Sequence, residues 1–390
     1  KDGYLTAEHS LSPKEVAEED KRVLFGGPEC TQPYSASRLN ISAMSFGALS
    51  ANAILALNKG AKRGGFAHNT GEGGLSPYHL KFGGDIIWQI GTGYFGCRNQ
   101  DGSFNADAFK ERAILEVVKM IEIKLSQGAK PSHGGILPAV KVSREIAEIR
   151  LVEAGKDVVS PPAHSVFNNP KGLLQFVRQL RQLSGGKPVG FKVVIGAYGW
   201  LDNLFQEINE IGIASAPDFI TIDSADGGTG AAPMPLMDDM GLPLRESLPM
   251  VIDKLIEYGL RDRVKVIASG KLITPTDVAW ALCVGVDFVT SARGFMFALG
   301  CIQALQCNKN TCPTGITTHD RKLQRGLVPE NKALRVMHYA KNMQKEVGTL
   351  AYSCGVKRPR QLRRYHARIV TANGLSIAMN ELHPDKEISP

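Results

Sequence analysis

Eight short apolar runs recur along the chain, each followed by glycine and then by a helical pattern. The runs are nearly continuously apolar instead of alternating, which is typical of parallel strands buried on both faces. They cover residues 39–46, 65–70, 85–91, 120–126, 188–196, 218–228, 263–270 and 287–294.

Helical periodicity separates most of these runs. Pro275 ahead of Thr276 is a helix-start signal, and Gly259 is a stop signal. Eight strands that alternate with helices over about 250 residues are typical of a (β/α)8 TIM barrel. A doubly wound sheet is the alternative, but no G-x-G-x-x-G motif follows the first run. We therefore predict an α/β fold of the TIM-barrel type, with helices over 173–183, 201–211, 248–258 and 276–283.

The segments outside this pattern predict two additions to the barrel, which we place at residues 39–325. Residues 1–38 are polar and interrupted by proline, and predict an irregular arm or short helices outside the barrel. Residues 326–390 predict a helical extension packed on the barrel, with helices at 331–346 and 359–372.

The connection between the fourth and fifth runs, 128–188, is too long for a simple turn. It carries QGAKPSHGGILP and DVVSPPAHSVFNNP, both dense in glycine and proline. Loops of this length in a compact domain are usually lids or site-forming insertions. We expect this insertion to contribute to the site.

The composition fits a large globular protein. Of 390 residues, 43% are hydrophobic and 22% are charged, so disorder is excluded as the main state. No apolar run reaches the roughly 18 residues that a membrane span needs. Because the first residue is Lys1, membrane association through an upstream segment stays open.

The chain is mildly basic, with 46 Lys and Arg against 38 Asp and Glu, a net charge of +8. Such a balance suits anionic substrates, phosphate cofactors or an acidic protein partner, and does not call for nucleic acid. The basic residues cluster only at KRPRQLRRYHAR, 357–368, which predicts a solvated helix face in preference to a docking patch.

Three of the seven cysteines, Cys301, Cys307 and Cys312, lie within twelve positions. This usage indicates metal chemistry in a reducing compartment, so we expect a cytoplasmic protein. The C-x5-C-x4-C spacing, with Pro313 after the last thiol, favours an iron–sulfur loop at 300–315, as a [3Fe–4S] cluster or a [4Fe–4S] cluster with one open iron. A structural zinc site completed by His319, or unligated buried thiols, are the alternatives.

Glycine-rich turns end several of the runs, at the edge where barrels keep functional groups. The turns SGKL (269–272) and ARGF (292–295) follow the last two runs, where backbone N–H groups can hold a phosphate. NTGEGG (69–74) places the carboxylate of Glu72 among glycines, and DSADGGTGAAP (223–233) is a third such loop.

Lys192 lies within the fifth run, where an inward-pointing functional cation is favoured over a structural ion pair because both faces are covered. For Glu72 a helix-capping role is the alternative to a site role. His164 is either a site residue or a loop residue with a satisfied hydrogen bond. We expect the side chains of Cys97, Cys283 and Trp88 to be buried in the core.

Taken in order, these motifs resemble the FMN- and iron–sulfur-binding synthase domain of glutamate synthases. The resemblance covers roughly residues 39–320, and it rests on SFGALS (45–50), NTGEGG, QGAKPxxGGxLP, SPPxH (160–164), DGGTGA and GCxxxxxCxxNTCPTG.

The resemblance implies an FMN-dependent barrel with assigned roles. By this resemblance, Lys192 is expected beside flavin N1 and the substrate carboxylate, and Glu72 is expected to be the active-site glutamate. The expected cluster ligands are Cys301, Cys307 and Cys312. The residues implied to bind the flavin are Ala43, Met44, Ser45, Asn69, Lys192, Asp226, Gly227, Gly228, Ser269, Gly270, Lys271, Ala292, Arg293 and Gly294.

The implied reaction passes electrons from the cluster to FMN, which delivers hydride to the imine of 2-oxoglutarate and ammonia to give glutamate. The implied partners are an electron donor such as ferredoxin or a reductase subunit, and we expect a homo-oligomer. Since no glutaminase segment is present in this sequence, we expect ammonia from another subunit or from solution.

The sequence departs from the family pattern around the expected dicarboxylate site. TGYFG (92–96) replaces SGRFG, Leu75 replaces an acidic residue, and the fifth run continues as FKVVIGAYGW. These changes leave two alternatives open. One keeps the cofactors with another amine or keto-acid acceptor, as in N-methylglutamate synthases. The other is a non-catalytic electron-relay subunit whose basic tail docks an acidic ferredoxin.

Overall fold

The computed structural model describes residues 3, 5–14, 21–128, 130, 133–196, 199–226 and 232–386. Its strands, in chain order, are β1 (Leu5–Ala7), β2 (Arg22–Phe25), β3 (Tyr34–Ser37), β4 (Leu39–Ile41), β5 (His68–Asn69), β6 (Ile86–Ile90), β7 (Val118–Lys124), β8 (Ile136–Leu137), β9 (Val158–Val159), β10 (Val189–Val194), β11 (Phe219–Asp223), β12 (Lys265–Ser269), β13 (Phe288–Ser291), β14 (Ala367–Val370) and β15 (Ser376–Ala378).

The helices alternate with most of these strands and begin at ordinary capping signals. The Thr274 hydroxyl accepts the Asp277 N–H ahead of a helix whose first residue is Pro275, as the sequence predicts. The helices are α1 (Ala51–Gly64), α2 (Pro77–Leu80), α3 (Ala106–Ala113), α4 (Arg144–Arg150), α5 (Pro170–Leu183), α6 (Gly199–Ile211), α7 (Leu244–Glu257), α8 (Pro275–Val284), α9 (Arg293–Leu299), α10 (Arg321–Gln324), α11 (Pro329–Ser353) and α12 (Met379–Leu382).

Eight strands close into a parallel barrel in the order β4-β5-β6-β7-β10-β11-β12-β13. Each predicted apolar run overlaps one of these strands, so the predicted TIM barrel is confirmed. The pairing of Thr290 with Asn40 joins the last strand to the first and closes the barrel. All four predicted helices between the runs are present, as α5, α6, α7 and α8.

The amino-terminal end of the barrel is sealed by an apolar layer. The antiparallel β2-β3 hairpin inserts Phe25, whose ring lies 5.9 Å from that of Phe219 and 4.8 Å from that of Phe288. The prediction of an irregular or helical arm is therefore wrong for residues 22–25 and 34–37, which are strands. The apolar side chains of the hairpin are buried only because they pack against the open amino-terminal end of the barrel. The layer also contains Tyr34, Ala36, Ala67, Ile87, Met120 and Ile267.

The carboxyl-terminal extension is only partly helical. The predicted helix at 331–346 is confirmed within α11, which packs along α1. The predicted helix at 359–372 is wrong, because two short 3-10 turns lead into β14 there. β14 forms because it pairs with β1, which is far away in the sequence. This antiparallel pairing places Leu5 opposite Ile369.

The basic cluster at 357–368 is not one solvated helix face. The Arg364 side chain is 3% exposed, and its guanidinium donates to the Asp253 carboxylate and to the carbonyls of His383 and Pro384. Lys357, in contrast, is exposed. The prediction is wrong for Arg364, which is a structural cation.

The remaining core predictions are confirmed. Cys97, Cys283 and Trp88 are each at most 5% exposed, and Trp88 stacks on Phe109.

The seven cysteines, all within the described residues, are free thiols. Of the helices that the structure describes, none combines the length and the apolar character needed to cross a membrane.

Candidate functional site

Polar side chains line the carboxyl end of the barrel. Lys192 on β10 is 6% exposed, and its Nζ lies 3.3 Å from Asp223 Oδ1 and 3.5 Å from Ser269 Oγ. A lysine with this burial and these partners lies inside the barrel wall and not on its outer surface. Lys192 therefore belongs to the barrel mouth, where it also forms the ion pair considered from the sequence.

Glu72 lies in the turn after β5, and a second lysine holds it there. Lys124 Nζ, at the end of β7, donates to Glu72 Oε1 at 2.8 Å, and Ser160 Oγ donates to Glu72 Oε2 at 3.2 Å. Burial alone would raise the pKa of Glu72, but Lys124, Lys130 and Arg150 bring it down to about 2. Glu72 does not cap α2, whose N-cap is Ser76.

Two more cations reach the mouth from the insertion between β7 and α5. Burial and the nearby charge of Lys124 lower the pKa of Lys130 to about 8. Burial lowers the pKa of Arg150 to about 10, and its guanidinium lies 5.3 Å from the Phe95 ring. Arg150 also donates to the carbonyl of Phe46 at 3.3 Å. The predicted site-forming role of the insertion is supported by these contacts.

The sequence analysis missed Lys124, Lys130 and Arg150. Lys124 lies within an apolar run, so the argument that placed Lys192 inside the barrel applied to it as well. Lys130 lies within the QGAKP motif, but no local pattern shows which way its side chain points. Arg150 reads as an ordinary last-turn helix residue, and only the fold brings it to Glu72.

The ends of the first two barrel strands abut. The Met44 N–H donates to the Asn69 carbonyl at 3.1 Å, and a Cβ on Gly71 would lie 3.1 Å from Ser45 N. Ala43 and Ser45 are partly exposed, whereas Met44 is buried. Asn69 uses both side-chain groups internally, because Nδ2 donates to Glu122 at 2.8 Å and Oδ1 accepts the Gly71 N–H at 3.0 Å.

The turn after β12 requires glycine. Gly270 has a φ of 131°, and a Cβ there would lie 2.3 Å from Ser224 Cβ. The exposed ammonium of Lys271 lies 2.9 Å from Asp226 Oδ2 and 3.8 Å from Asp238 Oδ1.

The turn after β13 is equally tight. Ala292 and Arg293 are exposed, while a Cβ on the buried Gly294 would lie 1.9 Å from the Tyr339 hydroxyl. Both turns thus bring bare backbone to the rim at the expected places. Gly227 and Gly228, also named from the sequence, lie outside the described residues.

Tyr94, which replaces the family's arginine, is 1% exposed and holds His164 in place. His164 Nε2 donates to the Lys124 carbonyl at 2.9 Å, so its Nδ1 accepts from the Tyr94 hydroxyl at 3.0 Å. Burial lowers the pKa of His164 to about 4, which keeps the ring neutral. His164 is thus a hydrogen-bonded loop residue that fixes the backbone of Lys124.

The three clustered cysteines share one half-buried loop after α9. Lys141 Nζ, from the insertion, donates to the carbonyls of Cys307 at 2.7 Å and Ala48 at 2.9 Å. Burial would raise the pKa of Cys312, but hydrogen bonds from Thr314 and Thr317 lower it to about 7. Across the described residues, no three His, Cys, Asp or Glu side chains converge closely enough to hold a metal ion. His319 donates to the Gly47 carbonyl at 2.8 Å.

Comparison with known proteins gives consistent matches. The family model described as the conserved region in glutamate synthase matches residues 14–357. The glutamate synthase large subunit-like protein YerD of Bacillus subtilis is 44% identical over 96% of this chain and 71% of its own length. The archaeal glutamate synthase [NADPH] of Methanocaldococcus jannaschii is 34% identical over 84% of this chain. The chain spans only 61% of that archaeal relative's length.

Solved structures share the fold at low sequence identity. A mandelate oxidase variant with a monooxide FMN adduct superposes with a TM-score of 0.55, at 13% identity over 94% of this chain and 88% of that one. A flavocytochrome b2 variant with bound sulfite gives a TM-score of 0.55, at 13% identity over 99% of this chain and 83% of that one. At such identities the likeness concerns the barrel alone.

Proposed function

The chain belongs to the glutamate synthase family, and on that basis we propose that it is an FMN-dependent oxidoreductase that reductively aminates 2-oxoglutarate, via 2-iminoglutarate, to glutamate. The observation that carries the proposal is the cluster of buried cations at the carboxyl end of the barrel. These cations surround Glu72 at the edge where barrel enzymes keep their chemistry.

The turns after β12 and β13 fit the phosphate of FMN. Ser269, Gly270 and Lys271, with residues 292–294, would hold that phosphate through the backbone N–H groups of the two turns. Residues 43–45 would support the ring system. When bound, FMN supplies the hydride chemistry that no side chain provides.

The charge balance of the mouth favours an anionic substrate. Lys124, Lys130, Lys192 and Arg150 bring four positive charges, against the carboxylates of Glu72 and Asp223. A positive excess remains even when the Glu122 carboxylate, one layer deeper on β7, is included. Buried charges are costly unless they are compensated, so the carboxylates of 2-oxoglutarate would complete the site.

The chain's own residues divide the remaining tasks. Glu72, whose pKa is about 2, stays a carboxylate at neutral pH, binds Lys124 and favours the charged form of Lys130. Lys192, which lies 3.3 Å from Asp223, would anchor a substrate carboxylate. Lys130, whose pKa is about 8, is the cation of the mouth best suited to give a proton to the new amine.

We further propose that Cys301, Cys307 and Cys312 bind an iron–sulfur cluster, [3Fe–4S] or [4Fe–4S]. Their shared loop and the lowered pKa of Cys312 support this assignment. An electron-donor protein such as ferredoxin and a homo-oligomeric state belong to the same proposal.

A different acceptor is the second candidate. Tyr94 is buried against His164 and offers no charge to the mouth, so recognition rests on the lysines and Arg150. A larger amine in place of ammonia is the natural variation of such a site. The electron-relay alternative loses part of its basis, because Arg364 of the basic tail is buried in an ion pair.

The test is anaerobic flavin spectroscopy on FMN-loaded, chemically reduced protein. The flavin bands should return when 2-oxoglutarate and ammonium are added together, and not with either alone. Reoxidation by 2-oxoglutarate with methylamine, but not with ammonium, would replace the proposed acceptor with the second candidate. Protein that binds no FMN would overturn the proposed function.

A further inference from the structure

A carboxylate at the centre of the barrel has three hydrogen-bond donors and no cation partner among the described residues. Glu122 on β7 is 2% exposed. Its Oε1 accepts from Gln89 Nε2 at 2.7 Å and from Asn69 Nδ2 at 2.8 Å, and its Oε2 accepts from Thr221 Oγ1 at 2.6 Å. Three charge-assisted hydrogen bonds are what a buried carboxylate needs when no ion pair is available.

This carboxylate fixes the orientation of the Asn69 side chain. An amide can present either its oxygen or its nitrogen in a given direction, and Glu122 accepts only the nitrogen. Asn69 Oδ1 is therefore turned to the Gly71 N–H, at 3.0 Å. A flipped amide would leave Gly71 facing a second donor.

The turn that Asn69 holds is the one that carries Glu72. Gly71 has a φ of 64° and lies against the backbone of Ser45. The carbonyl of Asn69 also accepts the Met44 N–H at 3.1 Å. Asn69 thus joins the first-strand end, where residues 43–45 would meet the flavin, to the turn of Glu72.

We propose that Glu122 is a positioning residue: its carboxylate sets the Asn69 amide, and through it the turn that aligns Glu72 with the first-strand end. The inference rests on the proposed function, because the ligand of that surface is taken to be FMN. Glu122 itself lies one register layer below Lys124 on the same strand and acts through Asn69.

An exchange of the two partners tests the proposal. Asn69→Asp places a second carboxylate against Glu122 and should weaken FMN binding at least tenfold, measured by quenching of flavin fluorescence. The double variant N69D/E122Q restores a donor–acceptor pair, with the Gln89 amide turned so that its oxygen faces the new amide nitrogen at position 122, and should bind FMN within threefold of wild type. Glu122→Gln alone keeps one oxygen that can accept from Asn69 but loses the charge and one acceptor, and should weaken FMN binding less than N69D does.

Asn58→Asp is the matched control. Asn58 is equally buried and its Oδ1 accepts the Gly84 N–H at 3.2 Å, but it contacts no carboxylate among the described residues. This variant should bind FMN like wild type. If N58D and N69D weaken FMN binding to the same extent, the cause is a general penalty for a buried aspartate, and the inference is overturned.

The outcomes separate this inference from the proposed function. If wild type binds FMN but N69D/E122Q binds no better than N69D, the positioning role is overturned and the proposed function stands. If N69D fails to fold while the double variant folds and binds FMN, the coupling is supported directly. Wild type that binds no FMN would overturn the proposed function first.

Discussion

The ammonium group of Lys124 lies 2.8 Å from Oε1 of Glu72, although the two residues are 52 positions apart in the sequence. One belongs to the end of β7 and the other to the turn after β5. Glycines make room for the contact, since a Cβ on Gly135 would lie 2.0 Å from Glu72 Oε1 and one on Gly91 would lie 2.6 Å from Oε2. The pair forms the centre of the candidate site.

Replacing Glu72 by glutamine should lower turnover by roughly 100-fold while FMN binding persists. The amide removes the charge that holds Lys124 and offsets Lys130 and Arg150. Steady-state kinetics with 2-oxoglutarate and ammonium measures the effect. The exposed Glu148→Gln on α4 is the control and should behave like wild type. Wild-type turnover in E72Q would refute the role of Glu72.

Lys130 should give the site a pH dependence above neutrality. Its pKa of about 8 lies below the ordinary 10.5 because of burial and Lys124, so its charge is lost as the pH rises through 8. We expect KM for 2-oxoglutarate to rise above that pH. Lys130→Arg should move the rise to higher pH, and an unchanged profile in K130R would exclude Lys130 as the titrating group.

The same shift predicts the opposite trend for stability. The unfolded state holds the proton of Lys130 up to about pH 10.5, whereas the folded state releases it near pH 8. Between these values the unfolded chain binds more protons, so this residue's contribution makes folding more favourable as the pH rises. Denaturant melts of wild type and Lys130→Met at pH 7.5 and 9.5 measure this contribution. The free energy of unfolding of wild type should rise between the two pH values relative to that of Lys130→Met.

The hairpin that seals the barrel should contribute strongly to stability. Phe25→Ala should cost about 3–5 kcal/mol of unfolding free energy, because its ring is fully buried between Phe219 and Phe288. Leu24→Ala is the control on the same strand, where the side chain is 58% exposed and the change should be small. Equal losses in urea melts would contradict the sealing role.

Arg364 should matter for folding and not for partner docking. Arg364→Gln should destabilise the protein by about 2–3 kcal/mol, because it leaves the partly buried Asp253 without its cation. Lys357→Gln, an exposed member of the same cluster, should change the unfolding free energy little. Thermal melts distinguish the two variants. If R364Q is as stable as wild type, the structural role of Arg364 is refuted.

Cysteine substitutions should separate cluster ligands from bystanders. Cys312→Ser should abolish iron and acid-labile sulfide in anaerobically reconstituted protein, since the lowered pKa of Cys312 marks it as a ready thiolate. Cys30→Ser should retain both, because burial and Asp218 raise the pKa of Cys30 to about 12. Full iron content in C312S would remove the iron–sulfur assignment.

Much of the fold could be predicted because its signals are local. Each barrel strand is a short apolar run, and each connecting helix has its own periodicity and caps. The inward position of Lys192 also followed from one strand, since a cation has no favourable place on a face covered by helices. The family motifs named Glu72 by the same kind of local evidence.

The rest depended on partners that a sequence window does not contain. Residues 359–372 have a helical pattern, but 367–369 within them pair with β1. The β2-β3 hairpin is fixed by its packing on the open end of the barrel. Lys130 and Arg150 lie at the site only because the insertion that carries them packs over the barrel mouth.

The sequence by itself thus determined the eightfold alternation, the glycine turns and the cysteine loop, because periodicity and turn chemistry act over a few residues. Only the tertiary structure decided which polar groups meet, including the ion pair of Glu72 with Lys124 and the hydrogen bond of Asn69 with Glu122. A charge is stabilised by whatever lies within a few ångströms of it, and in a closed barrel those neighbours come from strands far apart along the chain.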